Sequence, residues 1–112
     1  MKLIAPLLAL ALSSLSHAAL AADQGKAAVS ALGELNGIAL ACKQPALVSR
    51  ARNIIVTTAP KTRDYGEVFE NATNAAYLEQ GKSKTPCPDA VTLAARIAAA
   101  EKNLQAIFPV AQ

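Results

Sequence analysis

A chain of 112 residues, 53% hydrophobic, 17% charged and 4% aromatic, has room for one small domain and no second. A formal charge of +3 and a basic pI invite a nucleic-acid reading. Beyond Lys2 the Lys and Arg residues are dispersed from Lys26 to Lys102, and the chain has only two Tyr and two Phe, so nucleic acid is not an expected partner.

In chain order the first element is a targeting segment. Met1 and Lys2 make a positive start, Leu3 to Leu12 an uncharged apolar run, and Ser13 to Ala21 a small, polar close. Ala19-Leu20-Ala21 is an A-x-A cleavage pattern, with cleavage after Ala18 (Ser16-His17-Ala18) as the nearest alternative. A secretory signal peptide has this order. The run is too short for a membrane span, which takes about 20 residues. A buried N-terminal helix is the competing reading. The chain is therefore expected to divide into a signal peptide over 1–21 and one helical domain over 22–112, periplasmic or secreted. No stable membrane insertion is expected after cleavage. Removing residues 1–21, and Lys2 with them, leaves 91 residues and lowers the charge from +3 to +2.

His17 is the only histidine and falls in that segment. The mature chain thus lacks Ser-His-Asp and Cys-His catalysis, a histidine general base and histidine metal sites. Haem attachment through C-x-x-C-H goes with them.

Four helices follow from apolar periodicity. The first spans about Asp23 to Lys43, with Ala28, Leu32, Leu35, Ala39 and Cys42 at steps of three and four. Gly33, Gly37 and Ala41 lie four apart on another stripe. Each helix glycine costs about 1 kcal/mol against alanine, which makes sense where another backbone comes close. Membrane dimerisation uses the same spacing, but Lys26 and Glu34 favour close packing inside a bundle. Pro45 opens the second helix, with Leu47, Val48, Ala51, Ile54 and Ile55 as its apolar stripe and Pro60 as its stop. The third runs from Thr62, a plausible N-cap, to Gln80, with Gly81 as the C-terminal stop. Tyr65, Phe69, Ala72 and Ala76, assisted by Val68, form its buried side. The fourth starts near Pro88-Asp89 and ends before Pro109, on Ala90, Leu93, Ile97, Ala100, Leu104 and Ile107. Asp89 complements the dipole at its start.

The fold class expected is all-α: a small four-helix up-down-up-down bundle. Cys42 ends the first helix and Cys87 precedes the fourth, so that topology brings both to one pole. In an exported protein two cysteines usually pair. A Cys42–Cys87 bridge should stabilise the fold by roughly 4 kcal/mol in the chain-entropy model. The alternatives are poorer. Zinc normally takes four ligands, and a redox pair typically shows C-x-x-C spacing.

Candidates for chemistry are few. The stretch Pro60-Lys61-Thr62-Arg63-Asp64-Tyr65-Gly66-Glu67 joins both charges to a tyrosine and an otherwise unhelpful helix glycine. Arg63, Glu67, Glu70 and Asn74 then share one helical face. With Asp64 and Tyr65 they form the expected partner-binding surface. The alternative is a solvated face with an Arg63–Glu67 pair worth a few tenths of a kcal/mol. Glu67 and Glu70 are near each other, but acid–base catalysis needs groups placed about a substrate bond. No catalytic residue, cofactor or metal is expected. Asn71-Ala72-Thr73 matches a glycosylation sequon. Tyr65 and Tyr77 read as partly buried anchors, and Phe108-Pro109 as a cap on one pole.

The overall plan, with Cys42, Cys87 and the helix order, resembles the acid-stress chaperones of the bacterial periplasm: signal, size, helices and one long-loop disulfide. Leu35-Asn36-Gly37 and the closing Ala106-Ile107-Phe108-Pro109 resemble immunity proteins of type VI secretion. No site residue is carried over from either. The function expected is that of a non-enzymatic interaction module binding another protein, such as an adaptor, inhibitor, immunity factor or stress chaperone. The alternative is a carrier of a small apolar ligand, which needs a cavity on the order of 300 Å³ or more. Alanine is plentiful and the core correspondingly thin, which counts against a carrier.

Overall fold

A computed structural model describes residues 4–109, with side chains described from Asp23 onward. The first helix, expected from about Asp23 to Lys43, is corrected: it runs from Ile4 to Ala41, through the segment read as a signal peptide. Met1 to Leu3 and the side chains of residues 4–22, on which the signal-peptide reading rests, lie outside the described ones. Four helices and no strand are found among the described residues: α1 (Ile4–Ala41), α2 (Pro45–Thr58), α3 (Arg63–Ser83) and α4 (Ala90–Ile107). None of the helices, over the described residues, is long and apolar enough to cross a membrane.

Local chemistry explains the helix ends. At the end of α1 the Gln44 N–H donates to the Ala39 carbonyl at 2.9 Å, and Lys43 N–H to Leu40 at 3.3 Å. Lys43 takes a φ of 57°. This is a Schellman-type stop, with lysine where glycine is usual. Pro45 sits in the first turn of α2, where its missing N–H costs nothing. Thr62 caps α3 by accepting from the Tyr65 N–H at 3.3 Å. Asp89 caps α4 by accepting from the Thr92 N–H at 2.7 Å.

The stop expected at Gly81 is corrected. The helix α3 continues to Ser83, and the left-handed residue is Lys84, at φ 55° and ψ 27°. Ser83 Oγ donates to the Glu79 carbonyl at 2.8 Å and belongs to the last turn. Helical glycine is merely weak; only a left-handed backbone makes it a stop.

α1 is the hub. It packs against each of the other three helices, most extensively against α3, and α2 also packs on α4. The large aliphatic side chains that are fully buried are Val29 and Leu32 on α1 and Leu93, Ile97 and Leu104 on α4, with Ile54 of α2 nearly so. Each such aliphatic side chain contributes about 2 kcal/mol by leaving water. From α3, Phe69 joins this cluster while Tyr65 and Val68 pack at its edge. Ala90, expected in the buried stripe, is exposed at the first position of α4.

The α1–α3 seam explains the two spaced glycines. A Cβ on Gly33 would lie 2.7 Å from the Phe69 carbonyl oxygen and 2.8 Å from Ala72 Cβ. A Cβ on Gly37 would collide with the Thr73 carbonyl oxygen and stand 2.8 Å from Ala76 Cβ. Gly25 faces Tyr65, Gly33 faces Phe69 and Gly37 faces Thr73, so α1 and α3 advance in the same direction. Between the glycines, Asn36 Nδ2 donates to Thr73 Oγ1 at 3.2 Å. The Thr73 hydroxyl lies 2.8 Å from the Phe69 carbonyl and 3.2 Å from that of Gly33, and its single proton serves one at a time. Asn36 Oδ1 is buried with no partner, at a cost of about 1–3 kcal/mol.

Both poles are closed. Cys42 and Cys87 form a disulfide with Cα atoms 5.8 Å apart, tying the end of α1 to the approach of α4. Opposite, Tyr65 and Phe108 meet edge to face with ring centroids 5.3 Å apart. Gly25 leaves room for both rings, since a Cβ there would lie 2.8 Å from each.

Candidate functional site

Helices α2 and α3 follow one another in sequence yet make almost no contact, because each leans on α1 instead. The gap between them is an open cleft of about 510 Å³. Its floor is apolar: Ala59 and Phe69 are buried, Ile55 is half-buried, and Val56 is 58% exposed. Its rim is charged, with Arg52 on α2, Lys61 in the connection, and Arg63, Glu67 and Glu70 on α3.

Gly66 also lines this cleft, and no atom lies within 4 Å of where its Cβ would stand. Packing does not require glycine there. Its effect is to keep the mouth of the cleft clear.

Four of the residues assigned from sequence to the partner-binding face line the cleft: Arg63, Tyr65, Glu67 and Glu70. Asp64 and Asn74 are exposed but do not line it. Asp64 lies in the first turn of α3, where a carboxylate suits the helix dipole. Tyr65 is half-buried against Phe108 and anchors the base of the cleft. Tyr77 is half exposed, at 50%.

The charges are arranged across the gap. Arg52 Nη1 lies 3.7 Å from Glu70 Oε1, with both side chains about half exposed. Such a pair is worth about 0–1 kcal/mol and can open for a ligand. Arg63 and Glu67 do not form the pair considered from sequence; the other ion pair among the described residues joins Arg50 to Glu101. With Arg52 and Glu70 offsetting each other, Lys61 and Arg63 face one remaining carboxylate, Glu67. The rim is therefore net positive.

Sequence periodicity missed the α2 bank of the cleft. A signal was present in Ile54-Ile55-Val56, which is wider than one buried stripe needs once Ala51 and Ile54 are inside. The sequon at Asn71 has a structural account, since Thr73 is buried and bonded in the α1–α3 seam. Among the described residues no group of three or more His, Cys, Asp or Glu side chains could hold a metal ion. Asp89 has its carboxyl held below the usual value by the backbone N–H of Thr92, and it does not line the cleft.

The arrangement joins an apolar floor, with room for an apolar side chain, to a rim that carries charges of both signs. Comparison with protein-family models, with curated proteins and with solved structures finds no match, so the functional reading rests on this chain's own residues.

Proposed function

We propose that this chain is an exported, non-enzymatic protein-interaction module that docks a segment of another protein in the α2–α3 cleft. The observation that carries the reading is the unfilled apolar floor, with Val56 58% exposed and Gly66 leaving the mouth open. An apolar anchor inside a charged rim is the usual anatomy of a binding hot spot. The net positive rim favours a segment carrying carboxylates, which Lys61 and Arg63 would meet. Export is supported by the order of residues 1–21 and by the disulfide, which suits an oxidising compartment. The mature domain would then be the bundle of helices alternating in direction expected from sequence.

Filling the cleft tests this reading. Gly66→Leu places a side chain in open space on a helix and should leave thermal stability at or above that of the wild type. Arg63→Glu reverses one rim charge. A photo-crosslinker at Val56 should capture one discrete protein in the exporting cell, and either substitution should abolish that product. Capture unchanged by both overturns the cleft assignment. A lipid-sized mass bound to the purified protein, displaced by Gly66→Leu, establishes instead the carrier of a small apolar ligand.

A further inference from the structure

On its other flank α3 forms a second groove with α1, about 810 Å³ in volume, which shares only Asn71 with the α2–α3 cleft. Its lining includes Ile38, Ala72, Ala75 and Ala76, and among the described residues its charged members are Glu34 on the α1 bank and Glu79 on the α3 bank. Small side chains on a groove floor let a helix approach closely, as Gly33 and Gly37 do in the neighbouring seam.

The outer face of α4 has the opposite character. Val91 is 81% exposed, and Ala95, Ala99 and Ala106 are exposed with it. Arg96 and Lys102 are the exposed charges between Ala90 and Ile107; Glu101 is half-buried and turned to Arg50 at 4.0 Å. Arg96 and Lys102 are separated by about 120° around the helix, and Ala95, Ala99 and Ala106 occupy the sector between them, with Thr92 and Asn103 toward the Arg96 edge. A ridge of small residues thus carries one cation on each edge.

The spacing also agrees along the axis. Gly37 faces Ala76. Glu34 lies three residues before the first and Glu79 three after the second, so the carboxylates are offset by about 9 Å along the seam. Arg96 and Lys102, six residues apart, are offset by about 9 Å along α4.

We infer that the α1–α3 groove receives α4 of a second copy of this chain, Glu34 and Glu79 pairing with Arg96 and Lys102. The two surfaces differ, so the contact is heterologous and leaves a free groove at one end of each assembly and a free α4 at the other. Self-association then extends with concentration. It is independent of the α2–α3 cleft, which stays open in every copy.

Sedimentation of the mature protein tests this. At low salt the average mass should rise with concentration up to about 1 mM, and about 0.5 M salt should reverse the rise by screening the pairs. The double variants Glu34→Lys with Glu79→Lys, and Arg96→Glu with Lys102→Glu, should each associate at least about tenfold more weakly. Mixed in equal amounts they should recover wild-type association, because each supplies the charge the other lost. A wild-type protein monomeric throughout the series overturns the proposal, whatever other helix the groove accepts. So does wild-type association in either variant alone, or an equimolar mixture that stays monomeric. The wild-type salt series decides the matter by itself should a variant lose its fold.

Discussion

At the scale of single residues, the glycines divide into two kinds that one sequence pattern does not separate. Gly33 and Gly37 are places where another backbone arrives: the atoms a Cβ would meet include the Phe69 carbonyl for one and the Thr73 carbonyl and Tyr77 nitrogen for the other. Backbone atoms in a packed helix cannot step aside as a flexible side chain can. Gly66 and Gly81 meet nothing within 4 Å. Gly37→Ala should therefore destabilise by about 2 kcal/mol or more, at the upper end of overpacking costs. Gly66→Ala should stabilise by up to about 1 kcal/mol through helix propensity. Urea melts of the two variants beside the wild type measure both changes. Equal effects of the same sign would contradict the seam geometry. Asn36 and Thr73 belong to the same seam, and their burial shows that tight small-residue contact can carry a polar link where the helices cannot separate to admit water.

At the scale of elements, what was legible in the sequence follows from how local each determinant is. The cap Thr62, the negative start at Asp89 and the opening Pro45 were readable because each acts within its own first turn, although the Asp89 side chain also caps α4 and was read only as a charge at its start. The end of α3 was misjudged at Gly81 because the left-handed turn falls on Lys84, and nothing in a lysine announces that conformation. The spaced glycines announced a close approach but not that α3 would be the helix approaching. The α2 bank of the cleft was least legible: periodicity marks an apolar face, whereas Ile55 and Val56 form a site only because α3 stands away from α2. The α4 cap gives an element-scale prediction. The Thr92 N–H holds the Asp89 carboxyl below its ordinary value in the folded state. A depressed carboxylate pKa contributes stability above the unfolded value, and that contribution is lost as pH falls through the folded one. Asp89→Asn keeps an N-cap oxygen without the titration. Its thermal midpoint should fall less than that of the wild type between neutral pH and about pH 3. Parallel acid dependence of the two proteins would show that the cap charge does not contribute.

At the scale of the whole molecule, stability rests on a hub helix and two fastened poles rather than on a thick core. α1 reaches all three partners, while α3 supplies one large buried side chain, Phe69, and otherwise a seam of alanine, threonine and half-buried residues. The pole at Tyr65, Phe108 and Gly25 is held by ring packing, and the opposite pole covalently by Cys42–Cys87 across 45 residues of chain. That loop encloses all of α2 and α3. Reduction therefore releases, in the unfolded state, the whole segment whose two helices barely touch each other. The Cys42→Ser, Cys87→Ser double variant should lose roughly 2–5 kcal/mol, the usual cost for a bridge in a small domain. α3 depends on α1 through a seam that tolerates no added atom, so its amides should lose the most hydrogen-exchange protection. α4 keeps Leu93, Ile97 and Leu104 in the main cluster, and its central amides should remain the better protected. Denaturant melts give the first quantity and amide exchange the second. A double variant as stable as the wild type, or one whose α4 opens before α3, would show that the disulfide is not what holds this architecture together.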